Sequence, residues 1–407
     1  MASTGYVFHE KYLWHDPGSI SFSRWVEPGE AWENAETKRR LHSLLCVSGV
    51  IQRLEVLSPR VATKEELTRY HTVAYHDRIV SESASRGGDG GELARFAPGG
   101  YEIAALSAGG VLAAIEAVNE GKVRNAYCLV RPPGHHAVAD KGMGFCIFNN
   151  IVIGALHCKA LGLKRVAIVD YDVHHGNGTQ DAFWDDSETL FVSLHQDNHY
   201  PSNTGAVTEL GGASALGTTI NLPMPPGSGS GAYDYAFDTV VIPALKRFSP
   251  DIILVSSGFD ASDADPLGSM MLSSESFGSF AKKLKDVAET MCQGRIVFAH
   301  EGGYSKDYVP FCGLAVIQGI SGITSAVDDP YLEEIRNRGY QECQPHQKAL
   351  VDAVASLSGL RAPEPEQGVG LNPFELSLAK ALKSILSTAP MDRRKAIVDS
   401  LLYGEKE

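Results

Sequence analysis

Short apolar runs alternate with helix-length segments through the middle of the chain, and this alternation constrains the fold more than any other feature. The runs are almost continuously apolar, which is typical of strands buried on both faces of a parallel sheet. Strand–helix–strand alternation predicts an open parallel sheet with helices on both faces. The predicted strands are 126–130, 166–169, 190–194, 252–256 and 296–299, and the predicted helices are 103–118, 150–161, 233–248 and 274–292.

The pattern predicts one α/β domain and a helical extension. We expect a single three-layer αβα domain with a parallel sheet over residues 1–326, and a C-terminal helical extension over residues 327–407. Helix-like segments at 331–357 and 373–386, with a Pro-rich linker at 362–365, indicate the extension. The length of 407 residues and the apolar fraction of 43% allow a sizeable core and argue against a disordered or fibrous chain.

Acidic residues outnumber basic ones, 49 against 36, which gives a formal net charge of −13. We therefore expect no direct binding to nucleic acid, whose affinity comes largely from Lys and Arg, while a cationic substrate would suit the charge. No continuous apolar run of about 20 residues and no secretory signal is visible, so we expect no membrane association. Seven scattered cysteines are typical of reduced thiols and predict a cytoplasmic location, with organelle targeting and a homo-oligomer left open.

Polar residues follow the predicted strands directly, where sites form in open parallel sheets. Asp170, Asp172 and His174 alternate after strand 166–169, so an extended backbone would project them from one face. A carboxylate and an imidazole two residues apart are plausible ligands for a divalent metal, although a solvated strand end with a capping Asp gives the same pattern. Asp260 follows strand 252–256 as a third ligand or a helix N-cap, and taken alone it favours the cap.

Two further clusters supply groups for proton transfer and oxyanion binding. His135 and His136 follow a Pro-Pro-Gly turn, and adjacent imidazoles can act as paired acid and base groups near neutral pH. Tyr304 follows two glycines, and its phenol could donate to a developing oxyanion or lie on a surface turn. Together with a metal, this inventory fits metal-assisted hydrolysis of an amide.

These motifs, in this order, resemble the zinc-dependent histone deacetylase family. The likeness extends from about residue 9 to residue 325, and it is carried by the segments 131–136, 142–150, 170–179, 258–260 and 301–304. Asn177 and the Gly-Phe-Asp form of the segment ending at Asp260 are more similar to the class II branch and its bacterial histone deacetylase-like amidohydrolases.

The resemblance implies a role for each matching residue. It implies Zn²⁺ on Asp172, His174 and Asp260. His136 would be the general base and then the general acid, with His135 as a second, electrostatic histidine oriented by Asp170, and Tyr304 would polarise the scissile carbonyl. The implied substrate-binding residues are Phe145 and Tyr200 as tunnel walls, Leu267 at the rim, and Gly144; a structural K⁺ is implied near Asp170, Asp172, His174, Ser193 and Leu194.

The implied activity is deacetylation of acetyl-lysine in proteins or peptides, with acetylpolyamines or other small acyl-amides as the alternative substrates. Tyr200 stands where the family usually has Phe, which predicts a more polar wall. A rim Asp that holds the substrate backbone in many members does not align clearly here, and Asp89 and Glu92 are the candidates. Because Tyr304 is present, the resemblance implies an active enzyme.

Two other hypotheses concern the same motifs. An arginase-like binuclear manganese hydrolase would need further carboxylates, but Gly176 and Ser262 occupy the positions where that pattern has Asp, so we expect one catalytic metal. A non-catalytic acyl-lysine binding module would keep the fold without turnover. Every implied ligand, both histidines and Tyr304 are intact, so the sequence gives no reason to prefer that module.

Overall fold

Eight strands form one sheet in the computed structural model, which describes residues 3–18 and 31–360. Every pairing between neighbouring strands of this sheet is parallel. The strands are β1 (Thr4–Val7), β2 (Glu55–Leu57), β3 (Asn125–Cys128), β4 (Val166–Asp170), β5 (Thr189–Gln196), β6 (Thr219–Met224), β7 (Ile252–Ser257) and β8 (Ile296–His300).

The order across the sheet is β6-β5-β4-β7-β8-β3-β1-β2, so β4 and β7 lie near its centre. All residues of β4, β7 and β8 are buried, as their nearly continuous apolar sequences predict. The register pairs Asp170 with Ser256 on β7 and with Ser193 on β5. The carboxyl ends of β4, β7 and β8 therefore meet at one edge of the sheet, which confirms the predicted parallel arrangement.

Helices cover both faces of the sheet within the described residues. The helices predicted at 103–118, 150–161 and 274–292 are present, and the helix predicted at 233–248 is interrupted by a π-helical turn at Phe237–Val241. The helices are α1 (Glu36–Val47), α2 (Lys64–Leu67), α3 (Val73–Ser83), α4 (Gly100–Asn119), α5 (Asn150–Ala160), α6 (Asn177–Ala182), α7 (Ser230–Ala236), α8 (Ile242–Phe248), α9 (Ser274–Met291), α10 (Val309–Ser321), α11 (Leu332–Arg336) and α12 (Pro345–Leu357).

The helix starts follow ordinary capping chemistry. The Asn149 side chain accepts the N–H of Val152 at the start of α5. Ser273 and Ser276 form a reciprocal capping box at the start of α9. Both helices therefore begin where the sequence predicts a cap. The loops that precede them are not part of either helix and carry site residues.

Apolar side chains fill the two layers between helices and sheet. One layer contains Leu41 of α1, Phe280 of α9 and Ile317 of α10, and the other contains Val111 of α4 and Ile151 of α5. All of these side chains are buried, so the sheet is covered on both faces. The three-layer αβα architecture is confirmed.

The chain after residue 327 packs partly onto this domain. Val351, Val354 and Ala355 of α12 are buried in the same apolar layer as α9. The helix-like segment expected over 331–357 is divided into two helices, because α11 ends at Arg336 and α12 begins at Pro345. The expected linker at 362–365 and helix at 373–386 lie outside the described residues.

Helix α4 has the length and composition of a membrane span, with a mean hydropathy of 1.4 over an 18-residue window. No other helix in the described ranges meets that test. The sequence predicts no membrane span, because it contains no continuous apolar run of about 20 residues. The helix packs against the sheet, and 72% of the window is buried inside the domain.

Candidate active site

Asp172, His174 and Asp260 converge in a buried cluster at the carboxyl ends of β4 and β7. The Nδ1 atom of His174 lies 3.1 Å from Oδ1 of Asp172 and 3.1 Å from Oδ2 of Asp260. One ligand atom from each of the three residues falls within 4.8 Å of the others. The structure therefore brings together the three residues that the sequence predicts as metal ligands.

Backbone amides from neighbouring loops orient the two carboxylates. The Val173 N–H donates to Oδ1 of Asp260 at 2.7 Å, and the Gly302 N–H donates to Oδ2 of Asp172 at 2.8 Å. Each carboxylate thus accepts a hydrogen bond from a loop at a different strand end. These crossed contacts tie the loops after β4, β7 and β8 to one another and leave the remaining carboxylate oxygens beside His174.

The cluster concentrates negative charge without exposure to water. Burial, followed by the neighbouring Asp172 carboxylate, raises the pKa of Asp260 to about 6. A bound divalent cation would relieve this repulsion, because buried charges require a compensating partner. Two carboxylate oxygens and one imidazole nitrogen form a donor set that suits Zn²⁺ and leaves a coordination position for substrate. The residues present therefore fit the metal that the resemblance implies.

His135 and His136 lie side by side next to this cluster, with ring centroids 4.0 Å apart. Nδ1 of His135 lies 2.9 Å from Oδ2 of Asp170, whereas Nδ1 of His136 lies 2.8 Å from Oδ1 of Asn177. The amide nitrogen of Asn177 donates to the His136 carbonyl at 3.3 Å, so its Oδ1 faces the ring as an acceptor. His136 therefore carries its proton on Nδ1, and its Nε2 is free to accept another.

The two imidazoles have different partners, and their pKa values shift in opposite directions. Burial lowers the pKa of His135, but Asp172 and Asp170 outweigh it and the net shift is well upward. Burial, with the positive neighbours His135 and His174, lowers the pKa of His136 well below the usual value. These opposite pKa directions favour the charged form of His135 and the neutral form of His136, a pairing that suits acid–base chemistry.

Tyr304 and two apolar side chains form a small cluster beside His174. The rings of Tyr304 and Phe145 pack edge to face with centroids 5.8 Å apart, and Leu267 packs against them. The Tyr304 ring centroid lies 6.4 Å from that of His174. Tyr304 is 7% exposed, so the alternative of a surface Tyr on a turn is excluded.

The Tyr200 ring packs edge to face against the His136 ring, with the ring centroids 5.0 Å apart. Its hydroxyl donates to Oε1 of Glu92 at 3.2 Å, and Oε2 of Glu92 accepts from Lys141 at 2.8 Å. A Cβ added to Gly144 would lie only 2.5 Å from the His136 ring and 2.8 Å from the Tyr200 ring. The structure thus brings Phe145, Tyr200 and Gly144 to the same site.

Glu92 and Asp89, the two candidates for a rim acid, differ in their surroundings. The Asp89 carboxylate accepts the N–H groups of Gly91 at 2.9 Å and Ala94 at 3.1 Å, so it folds its own loop. Glu92 instead contacts Tyr200. Of the two, only Glu92 bonds to a residue of the predicted substrate wall.

The residues named for a potassium site lie on β4 and β5 or directly after β4. Ser193 of β5 pairs in register with Asp170 of β4, and Leu194 follows it directly. The Ser193 hydroxyl is 2.9 Å from Nδ1 of His195, so the side chain already has a partner. The structure brings the five residues to one region, and the potassium ion stays a prediction.

Glu301 is a site residue that the sequence interpretation did not assign a role. Its Oε2 accepts the N–H groups of Gly134 at 2.6 Å and His135 at 3.2 Å, and its Oε1 accepts the Ser256 hydroxyl at 3.2 Å. It therefore fixes the turn that presents both histidines. Its place just before Gly-Gly-Tyr, two residues after the predicted strand 296–299, was the available signal.

Two other groups of charged residues have structural partners. Arg60 bonds to both Glu66 and Glu116 at 2.6 Å, which compensates the acidic charge next to His157. A second, fully buried network links Arg131 to Glu33 at 2.9 Å and Glu33 to Lys38 at 3.1 Å. The first network holds α2, α4 and α5 together, and the second anchors the segment before α1 to the loop after β3.

Comparison with known proteins identifies the family. The model of the histone deacetylase domain matches residues 31–320. A histone deacetylase-like amidohydrolase of Pseudomonas aeruginosa is 44% identical over 376 residues, covering 89% of this chain and 98% of that protein. A probable deacetylase of Archaeoglobus fulgidus is 35% identical over 338 residues, covering 82% of this chain and 91% of that protein.

Plant and structural relatives agree with these matches. The chloroplastic histone deacetylase 14 of Arabidopsis thaliana is 37% identical over 318 residues, covering 74% of this chain and 73% of that protein. The crystal structure of the HDA15 HD domain superposes with a TM-score of 0.77 at 30% identity, covering 95% of this chain and all of that one. Sequence and fold therefore point to the same family.

Proposed function

The chain belongs to the histone deacetylase family, and from this premise we propose that it is a zinc-dependent deacetylase acting on acetyl-lysine in proteins or peptides. The family membership supports the coarser statement that the protein is an amide-hydrolysing deacetylase. The observation that carries the proposal is the convergence of Asp172, His174 and Asp260 beside a histidine pair and a buried tyrosine.

Asp172, His174 and Asp260 would hold the metal. A Zn²⁺ ion held there would supply Lewis acidity, which polarises a carbonyl and activates water near neutral pH. Two carboxylates and one imidazole match the ligand count of catalytic zinc sites. The pattern provides no additional Asp at Gly176 or Ser262, which argues for one metal rather than two.

The histidines would divide the proton transfers between them. His136, neutral and protonated on Nδ1 by virtue of Asn177, can accept a proton from the attacking water on Nε2 and later deliver it to the leaving amine. His135, paired with Asp170, would stabilise negative charge that develops nearby. Buried surroundings strengthen that electrostatic effect.

The Tyr304 hydroxyl would donate to the carbonyl oxygen of the scissile amide as negative charge develops on it. Burial raises the pKa of Tyr304 well above its usual value, with Asp260 and Asp172 acting in the same direction. The phenol therefore keeps its proton at neutral pH. It acts as a donor and not as a base.

The surroundings support a long aliphatic amide attached to a cationic or polar body. Phe145 and Leu267 offer apolar surface, which suits the methylene stem of an acyl-lysine. Glu92 offers a carboxylate next to Tyr200, and the net charge of −13 suits a cationic substrate. Acetylpolyamines share these properties and are the second candidate substrates.

A substrate panel tests the proposal. We expect the zinc-loaded protein to deacetylate acetyl-lysine peptides with a higher kcat/KM than acetylspermidine or acetylputrescine. The opposite ranking would move the substrate class to small amides. Absence of turnover on every amide, together with measurable binding of acetyl-lysine peptide, would replace the enzyme with a binding module.

The Asn177→Asp variant tests the assignment of the general base. A carboxylate next to Nδ1 of His136 would favour the imidazolium, so the pKa of the base would rise. Since a base must be unprotonated to work, we expect the acid limb of the kcat/KM profile to move upward by ~1–3 pH units. An unshifted profile, with activity retained, would exclude His136 as the base.

A further inference from the structure

We propose that Asp265 is the positioning residue for Tyr304: its carboxylate holds the Gly-Gly-Tyr turn in the position from which the phenol can reach the scissile carbonyl. This inference rests on the proposed function, in which Tyr304 is the oxyanion donor. Asp265 lies in the loop after β7, five positions beyond Asp260, and is buried.

Three backbone amides converge on the Asp265 carboxylate. Its Oδ2 accepts the N–H of Tyr304 at 2.6 Å and that of Ser305 at 3.3 Å. Its Oδ1 accepts the N–H of Leu267 at 2.9 Å. One side chain therefore joins the turn that carries the phenol to the loop that carries the rim residue Leu267.

The turn needs this external anchor because its own sequence does not fix it. Gly303 has a φ of 117°, in the region that favours glycine, and two consecutive glycines leave the backbone many alternatives. Gly302, two residues before Tyr304, is already tied to the metal site, since its N–H bonds to Asp172 and its carbonyl accepts the Phe259 N–H at 3.1 Å. Asp265 fixes the other end.

Precise placement of a donor matters for catalysis. An oxyanion donor is effective only at hydrogen-bond distance from the developing charge, and a misplacement of ~1 Å can cost ~10²-fold in rate. Phe145 and Leu267 contact the Tyr304 ring but form no hydrogen bond that would set its position along the site. The carboxylate of Asp265 supplies that restraint through the backbone.

Asp263 provides a matched control from the same loop. It is also an aspartate with a largely buried side chain, but it pairs with Arg338 at 3.0 Å, on the segment after α11. None of its hydrogen bonds reaches the turn that carries Tyr304 within the described part of the chain. Asp263→Asn therefore changes the same chemical group two positions away without releasing the phenol.

The Asp265→Asn variant removes half of the anchor at constant size. A single amide oxygen cannot face both Leu267 and the Tyr304 turn, so one set of N–H groups loses its acceptor. We expect kcat to fall by ~10–100-fold with little change in KM, while Asp263→Asn stays within about twofold of the wild type. Asp265→Ser is a second variant, and thermal unfolding and zinc content show which proteins are folded and loaded.

A double-mutant cycle separates positioning from general damage. In a Tyr304→Phe background the phenol is already gone, so Asp265→Asn should lower kcat by less than about twofold further. If the kcat losses of the two single variants multiply in the double variant, the proposal is overturned. An unchanged kcat in folded Asp265→Asn and Asp265→Ser would overturn it as well.

Crystal structures of the wild type and of Asp265→Asn test whether Asp265 positions Tyr304, independently of any activity measurement. A Tyr304 hydroxyl that moves by about 1 Å or becomes disordered supports the role. An unmoved hydroxyl overturns it. If the wild type deacetylates nothing, the proposed function fails, and these structures still report whether Asp265 positions Tyr304.

Discussion

Replacing Asp172 with alanine is expected to reduce deacylation to background and to leave the purified protein without stoichiometric zinc. The change leaves only His174 and Asp260, which is one ligand fewer than catalytic zinc sites use. It also removes the acceptor of the buried Gly302 N–H, at a cost of ~1–3 kcal/mol in stability. Elemental analysis measures the zinc content, and a fluorogenic acetyl-lysine assay measures the rate of deacylation.

Glu116→Gln is the control for this substitution. Glu116 belongs to another group of acidic and histidine side chains in the described structure, but Arg60 compensates its charge. We expect this variant to keep its zinc and its activity. An Asp172→Ala protein that bound zinc in equal amount and turned over at the wild-type rate would remove Asp172 from the metal site.

Replacing Tyr304 with phenylalanine is expected to lower kcat by ~10²–10³-fold, the usual cost of losing one oxyanion donor. The ring remains, so its packing against Phe145 and Leu267 should persist, and KM should change little. The zinc content should stay at the wild-type level, because Tyr304 is not one of the three clustered ligands. Steady-state kinetics on an acetyl-lysine peptide provide the measurement.

Tyr308→Phe is the matched control four residues later. The Tyr308 hydroxyl accepts the Ser274 N–H at 2.8 Å and donates to Asp329 at 3.0 Å, away from the metal ligands. Its loss should affect stability more than kcat. Equal rates for Tyr304→Phe and the wild type would leave the phenol without a role in the reaction.

Local sequence patterns predicted the centre of the fold because the information there is local. The strands β4, β7 and β8 each begin with a continuous apolar run, and each is followed within a few residues by the groups it presents, Asp172, Asp260 and Tyr304. Parallel pairing brings those strand ends together without any further information. The main elements of the site could therefore be predicted before the structure was known.

Short or polar elements escaped this reasoning. Strand β1 has four residues and β2 has three, which is too few for a periodic signal. Strand β6 is fully buried but contains Thr219, Asn221 and Pro223, so its sequence does not resemble a buried strand. Tertiary packing, and not local preference, makes these segments strands.

The supporting contacts of the site depend on residues far apart in the chain. Glu92 and Tyr200 are 108 positions apart, and their hydrogen bond directs the Tyr200 hydroxyl to the Glu92 carboxylate. His136 and Asn177 are 41 positions apart, and Tyr304 and Asp265 are 39 apart. Spacing alone gives no register for such pairs, so the sequence identified the reacting groups better than their partners.

A crystal structure of the zinc-loaded protein with anomalous data at the zinc edge tests the central claim most directly. The account predicts one strong anomalous peak in each chain, within coordination distance of Asp172, His174 and Asp260. A second metal beside the first would indicate a binuclear hydrolase. A zinc-loaded crystal without a peak among these three side chains would contradict the account.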